Sequence, residues 1–165
     1  MSKNLKISLV LVVAAVGLAF IAASGGDDGG SVSESTGGRD EALVRPDSQV
    51  LSEGSTDVTF VEFLDFECEA CGAAYPAVEQ LRERFGDEVT FVVRHFPLHG
   101  NSVAAARAAE TAAAQGEFEA MYQRLFEAQA EWSHSESSQE DVFFGYAEDL
   151  GLDMEQFRAD YDNPA

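Results

Sequence analysis

The only two cysteines of the chain, Cys68 and Cys71, lie in the stretch DFECEACGAAYP with two residues between them. A pair with this spacing can be a redox-active dithiol, one half of a metal site or a structural disulfide. If both cysteines occupy one helical turn, their sulfurs come within bonding reach of each other. The elements around the pair and the compartment of the protein therefore decide its chemistry.

Two predicted strands and a helix surround the cysteines. The stretch VTFVEFLDF (58–66) alternates and is rich in β-branched and aromatic residues, which is typical of a strand. The following stretch, CEACGAAYPAVEQLRERFG, keeps its apolar residues at helical spacing. VTFVVRHF (89–96) is mostly apolar, as a strand buried on both faces would be. Residues 58–98 are thus predicted to form a βαβ unit with parallel strands.

This placement favours redox chemistry for the cysteines. Cys68 falls where the strand ends and the helix begins, and the free N–H groups and the dipole of a helix start stabilise a thiolate. Cys71, one turn later, can then attack the mixed disulfide that Cys68 forms with a substrate. We therefore expect Cys68 to attack and Cys71 to resolve, with no bound cofactor because the dithiol itself carries the electrons.

Helices are predicted for most of the chain after Pro97. Residues 103–116 form an alanine-rich segment, and the next segment carries an apolar stripe at i, i+3, i+4, i+7 and i+8. The stripe consists of Phe118, Met121, Tyr122, Leu125 and Phe126. Its spacing is that of a helix face packed in a core.

Two stretches together resemble the DsbA-like branch of the thioredoxin-fold superfamily, FVEFLDFECEACGAAYP and VRHFPLHGNSVAAARAAETAAAQGEFEAMYQRLFEAQ. The resemblance covers residues 58–161 and implies an α/β thioredoxin-like fold with a helical subdomain inserted at 102–161. It implies a thiol–disulfide oxidoreductase that acts on exported protein thiols and disulfides and is recycled by a separate redox partner. Cys68 matches the attacking cysteine, Cys71 the resolving one, and Glu62 the buried acid that moves protons for the resolving thiol.

The chain departs from this branch at the residues next to the attacking cysteine. Glu69 and Ala70 stand between the cysteines, where strongly oxidising relatives often carry a histidine. Glu67 and Glu69 flank Cys68 and are expected to disfavour its thiolate by charge repulsion. The direction of the reaction, as oxidase, reductase or isomerase, depends on reduction potentials and stays open at this point.

A second departure concerns the end of the chain. The branch has a cis-proline loop facing its cysteines, yet none of the four prolines is placed to form it: Pro46, Pro76, Pro97 and Pro164. We therefore expect a C-terminally truncated version of the fold that lacks its last strands and helix. Such a truncation is expected to leave a sheet edge and four apolar side chains exposed. These are Val61, Phe63, Phe91 and Val93.

The N-terminal segment predicts a location outside the cytoplasm for the rest of the chain. Lys3 and Lys6 precede an uncharged apolar run at residues 7–23. This pattern is typical of a membrane anchor or a signal peptide, with the rest of the chain on the far side. We assign residues 1–24 to this segment and 25–45 to a flexible Gly, Ser and acidic linker. Residues 46–165 are assigned to the folded domain.

The formal net charge of the whole chain is −20. Such acidity disfavours nucleic acid as a partner, because phosphates would be repelled. It also suits a high-salt habitat, where screening relieves the self-repulsion of the surface.

Two rival interpretations come from other classes of protein. Cys68, Cys71, His95 and His99 form a C-x2-C…H-x3-H pattern, but 23 residues separate Cys71 from His95. Finger-type zinc sites have about 12–15 residues there, so we predict no metal. The chain could instead be a tethered, non-enzymatic binding module with a structural Cys68–Cys71 bond. A bond that closes so short a loop restrains the unfolded chain little.

Overall fold

The computed structural model describes residues 42–163, and its centre is a small mixed sheet. The strands are β1 (Gln49–Ser52), β2 (Thr59–Leu64) and β3 (Thr90–His95). Their order is β1-β3-β2, so β3 is the central strand. β2 runs parallel to β3 over its whole length, whereas β1 is antiparallel to β3, with a shift of register between Val50 and Ser52. The parallel pair is what a βαβ unit requires.

Helices account for most of the remaining structure. They are α1 (Glu69–Phe85), α2 (Ser102–Ala113), α3 (Phe118–Glu127), α4 (Gln129–Trp132), α5 (Glu140–Asp149) and α6 (Met154–Asp162). α1 connects β2 to β3, and the other five follow β3 as a continuous helical segment. The thioredoxin-like α/β fold with a helical segment after the βαβ unit is therefore confirmed.

The core lies between one face of the sheet and this helical segment. Leu64 and Phe66 at the end of β2 and Val93 on β3 join one buried cluster with α2, α3 and α5. α2 contributes four fully buried alanines, whose small side chains allow close packing. All five residues of the stripe predicted for α3 are buried. Burying one large apolar side chain contributes about 1.5–3 kcal/mol to folding, so this helix holds the helical segment to the sheet.

The expected exposure of apolar sheet residues is only partly right. Phe91 and Val93 are 3% and 2% exposed, so the prediction for them was wrong. They belong to the central strand, which has neighbours on both edges. Phe63, on the outer strand β2, is 49% exposed. On β2 the face of the sheet decides the exposure, because the adjacent Leu64 is 1% exposed.

The predicted N-terminal segment, residues 1–24, and most of the predicted linker lie outside the described residues. Within residues 42–163, the structure contains no helix that is both long and apolar enough to cross a membrane.

Candidate redox site at the start of helix α1

Cys68 is the residue that joins the end of β2 to α1. Its backbone N–H donates to the Asp65 carbonyl oxygen (3.1 Å), and its own carbonyl oxygen accepts from Gly72 N–H (3.0 Å) as the helix begins. It is the N-cap residue of the 17-residue helix, with extended dihedrals of φ −72° and ψ 121°. The thiol therefore lies at the positive end of the α1 dipole, where a thiolate is favoured. Both thiols are free and half-buried.

Cys71 lies one turn inside α1 and packs against the edge of the hydrophobic core. Burial raises the pKa of its thiol, and the neighbouring Cys68 side chain raises this pKa further, against a hydrogen bond from the Asp65 backbone. A thiol of this kind stays protonated and unreactive until a base removes its proton. This is the behaviour required of a resolving cysteine.

Glu62 points from β2 into the partly buried region between the sheet and the helices. Its Oε2 atom is buried and has no hydrogen-bond partner among the described residues. Burial raises the pKa of the Glu62 carboxyl and the nearby Glu79 carboxylate raises it further, while the neighbouring Tyr122 hydroxyl acts in the opposite direction. The hydroxyl of Tyr122 is equally buried and unpartnered within residues 42–163. Burial raises its pKa, as does Glu62. Glu62 thus holds a proton more tightly than an ordinary glutamate does.

Asp65, three residues before Cys68, is a buried acceptor that fixes the end of β2. Its carboxylate accepts from the backbone N–H of Glu67 (2.9 Å) and of Leu98 (2.8 Å), and lies 2.6 Å from His99 Nδ1. Burial favours a higher pKa for Asp65, but the nearby Ser102 hydroxyl and the hydrogen bonds from His99 and these two amides hold it below its usual value. Asp65 therefore remains ionised and ties the loop after β3 to the dithiol.

Glu67, the residue before Cys68, is only 2% exposed. Its Oε2 accepts from Asn101 N–H (2.6 Å) and Ser102 Oγ (3.4 Å), and its Oε1 accepts from His134 N–H (3.1 Å). The backbone of His134 is in the left-handed region (φ 59°), an uncommon conformation for a residue with a Cβ. The Glu67 carboxylate thus connects two loops of the helical segment to the site.

Glu69, the residue after Cys68, stands in solvent. Its side chain is 82% exposed, and its Oε1 lies 3.1 Å from Nε2 of His134. The two acids expected to repel the Cys68 thiolate therefore differ in kind. The carboxylate of Glu67 is buried and hydrogen-bonded, whereas that of Glu69 is exposed and lies near only the His134 ring.

Gln129, the first residue of α4, contacts the site but was missed by the sequence analysis. Its Nε2 donates to the carbonyl oxygens of Phe66 (2.7 Å) and Cys68 (2.9 Å). A Cβ on Gly72 would collide with the Gln129 side-chain amide. The available sequence signal was Gly72 directly after Cys71, since a glycine in the first turn of a helix can mark a close approach.

The histidines of the rival zinc pattern bind carboxylates instead of approaching the cysteines. His95 Nε2 lies 2.7 Å from Glu110 Oε1, and His99 is engaged with Asp65. Among residues 42–163, no group of three or more His, Cys, Asp or Glu residues is placed to hold a metal ion.

A dithiol at the start of the helix of a βαβ unit, with a helical segment packed on the sheet, defines a thioredoxin-fold protein. The chain belongs to the thioredoxin family, whose model matches residues 46–164. It is similar to a thioredoxin-like oxidoreductase from Silicibacter pomeroyi DSS-3, at 35% identity and a TM-score of 0.63. The match covers 76% of this chain and 69% of that one. The resemblance stated from the sequence is therefore confirmed.

Other similar proteins extend this comparison. The Wolbachia pipientis protein α-DsbA1 shares the fold, with a TM-score of 0.66 at 17% identity over 76% of this chain and 64% of that one. A protein of Herminiimonas arsenicoxydans named Na(+)/H(+) antiporter NhaA is 43% identical over 108 residues. That match covers 66% of this chain but only 16% of the antiporter. The chain thus corresponds to one part of a much longer relative.

Proposed function

We propose that this protein is a thiol–disulfide oxidoreductase that exchanges disulfides with other proteins through Cys68 and Cys71. The observation that carries the proposal is the position of Cys68 as N-cap of α1, with Cys71, a thiol whose pKa is raised by burial, one turn inside the same helix. The pair thus combines an attacking cysteine at a helix start with a resolving thiol that is held protonated.

The exchange needs no cofactor, because the dithiol supplies both electrons. The Cys68 thiolate attacks one sulfur of a substrate disulfide, forming a mixed disulfide and releasing the other substrate sulfur as a thiolate. Cys71 then loses its proton and attacks Cys68 Sγ, which closes the Cys68–Cys71 bond and releases the second substrate thiolate. Two electrons pass to the substrate, and its two thiolates are protonated by the proton released from Cys71 and by one from water. The same steps in reverse oxidise a substrate dithiol.

Glu62 is proposed to accept the proton of Cys71. The raised pKa of its carboxyl and its unpartnered buried Oε2 among the described residues support this role. A raised pKa makes the Glu62 carboxylate a stronger base than an ordinary glutamate.

Exchange between the purified protein and a disulfide-bonded peptide tests the proposal. We expect catalysed exchange by the wild type, none by Cys68→Ser, and a trapped mixed disulfide on Cys68 in Cys71→Ser. A structural disulfide would instead give a wild-type rate no higher than that of the Cys68→Ser variant. That outcome would support the non-enzymatic binding module.

The predicted position outside the cytoplasm suggests the substrates. If residues 7–23 carry the domain across a membrane, its substrates are thiols and disulfides of exported proteins. A separate redox protein then has to reset the dithiol after each turnover. Fractionation of cells, followed by trapping with Cys71→Ser, would identify both.

A second candidate function is suggested by the relatives named as antiporters. The matched part is about a sixth of the Herminiimonas protein. A domain that is part of a longer chain in one protein can act on the same partner as a separate chain in another. Under this alternative, the dithiol would respond to or modify the redox state of an ion antiporter. Co-purification with such a transporter, dependent on Cys68, would favour it.

A further inference from the structure

The side-chain amide of Gln129 lies against the backbone of the dithiol segment. Its nitrogen, Nε2, donates to the carbonyl oxygens of Phe66 and Cys68, the residues on either side of Glu67. The Cys68 carbonyl oxygen also accepts the first helical hydrogen bond, from Gly72. The same carbonyl therefore receives two donors, one from its own helix and one from the helical segment.

The amide is held in this place by a rigid support. α4 is anchored three residues later by Trp132, which is 1% exposed and donates from Nε1 to the Leu125 carbonyl oxygen (3.1 Å). The Trp132 ring packs edge-on against Phe143 at 4.9 Å between centroids. On the other side, the absence of a side chain at Gly72 provides the space that the amide occupies. Side chains with fixed supports orient a site more precisely than mobile ones.

We propose that Gln129 is a positioning residue that sets the redox equilibrium of the Cys68–Cys71 pair, an inference that rests on the proposed function. The negative end of the Cys68 carbonyl dipole lies on the same residue as the thiolate and opposes it. Two donors on that oxygen, one of them the amide of Gln129, offset this dipole. The offset matters only while Cys68 carries a charge, so it favours the reduced form over the disulfide.

The test is an equilibrium between the protein and glutathione. Protein dithiol and one oxidised glutathione give protein disulfide and two reduced glutathione, so two electrons and two protons pass to glutathione. In Gln129→Met, which keeps the length of the side chain but has no donor, we expect the equilibrium to shift about three- to tenfold toward the protein disulfide. The alkylation rate of Cys68 near neutral pH should fall in parallel.

The matched control is Gln123→Met, because the amide of Gln123 bonds to Glu119 on the same helix and does not take part in the site. Its equilibrium should stay within twofold of the wild type. Gln129→Glu provides a second variant of nearly equal size that lacks both amide hydrogens, in case Gln129→Met does not fold. It should shift the equilibrium in the same direction.

Unfolding both redox forms of each variant separates positioning from stability. A purely structural Gln129 would lower the stability of the dithiol and disulfide forms equally and leave the glutathione equilibrium unchanged, which would overturn the inference. Neither the equilibrium nor the alkylation rate requires a protein substrate. A wild type that fails to catalyse exchange would therefore refute the proposed function. The glutathione equilibrium and the alkylation rate of the Gln129 variants would still decide the role of Gln129.

Discussion

His99 Nδ1 lies 2.6 Å from Asp65 Oδ2, and this contact joins the loop after β3 to the end of β2, three residues before Cys68. Asp65 raises the pKa of His99 through this hydrogen bond. In return, His99 is one of the donors that hold the pKa of Asp65 below its usual value against the effect of burial. The two groups form an ion pair beside the dithiol at mildly acidic pH.

The pair makes the stability of the fold dependent on pH. Because the folded-state pKa of His99 is raised above about 6.5, its contribution is complete below that pH and is lost as the pH rises through the folded value. Because the pKa of Asp65 is lowered, its contribution is complete above its unfolded value and is lost as the pH falls through the folded one. In denaturant titrations, His99→Gln should therefore be less stable than the wild type near pH 5–6, about one unit below the histidine reference value. The difference should narrow toward pH 9. A difference in unfolding free energy between the two proteins that stays constant over this pH range would contradict the assignment.

Cys68 should react before Cys71 when the reduced protein meets a limiting alkylating reagent. Cys68 caps the start of α1, whereas burial raises the pKa of the Cys71 thiol. The thiolate is the reactive form, so the ratio of adducts should be about tenfold or more in favour of Cys68. Mass spectrometry of the digested protein gives the ratio, and unfolded protein is the control. Preferential labelling of Cys71 in the folded protein would reverse the roles of the two cysteines.

Glu69 should tune which disulfides react with the site. Its exposed carboxylate stands beside Cys68, so Glu69→Gln should favour the thiolate and accelerate attack on anionic disulfides about two- to fourfold. The rate of reaction with a cationic disulfide such as cystamine should increase less. The difference between the two rate increases should shrink in high salt. Stopped-flow rates would show this, with Glu155→Gln on distant α6 as a charge-matched control. Equal rate changes for both disulfides would argue against an electrostatic effect.

Glu62→Gln should stabilise the fold but slow the resolving step. The raised pKa of Glu62 means that its ionisation in the folded protein is costly, so stability is lost as the pH rises from about 4.5 through the folded value. Removing this charge should add about 1–3 kcal/mol at neutral pH. If Glu62 accepts the proton of Cys71, closure of the Cys68–Cys71 bond should slow about 10- to 100-fold. A stabilised variant with unchanged closure would remove Glu62 from the mechanism.

Gly72→Ala should disturb the site through Gln129. The added methyl group meets the side-chain amide, which must move and give up its bonds to the two carbonyl oxygens. We expect a loss of about 1–3 kcal/mol in unfolding free energy. In the double variant with Gln129→Ala the methyl group has room, so the combined loss should be smaller than the sum of the single losses. Additive losses would show that Gly72 is required for another reason.

The local elements of the fold were predictable because each carries its own signal. The alternation before Cys68, the apolar strand near Phe91 and the stripe on α3 are properties of consecutive residues, and the structure contains all three. The apolar character of 89–96 agreed with the burial of Phe91 and Val93, but the expected truncation predicted their exposure; β1 adds to the opposite edge of this strand.

The polar contacts of the site could not be read from the sequence for a related reason. Gln129 meets Phe66 63 positions away, and His99 meets Asp65 across 34 positions. Such pairs have no periodicity, and each residue alone resembles an ordinary surface residue. Only Gly72 gave a local indication, and its meaning depends on knowing what lies opposite.

The antiparallel direction of β1 also determines where the chain enters the sheet. Gln49 pairs with Val93 near the end of β3, and β2 ends beside the same end, just before Cys68. The start of β1 and the end of β2, four residues before Cys68, thus lie at one end of the sheet. Residues 42–48, which lead into β1, therefore join the sheet at the end where the dithiol segment begins.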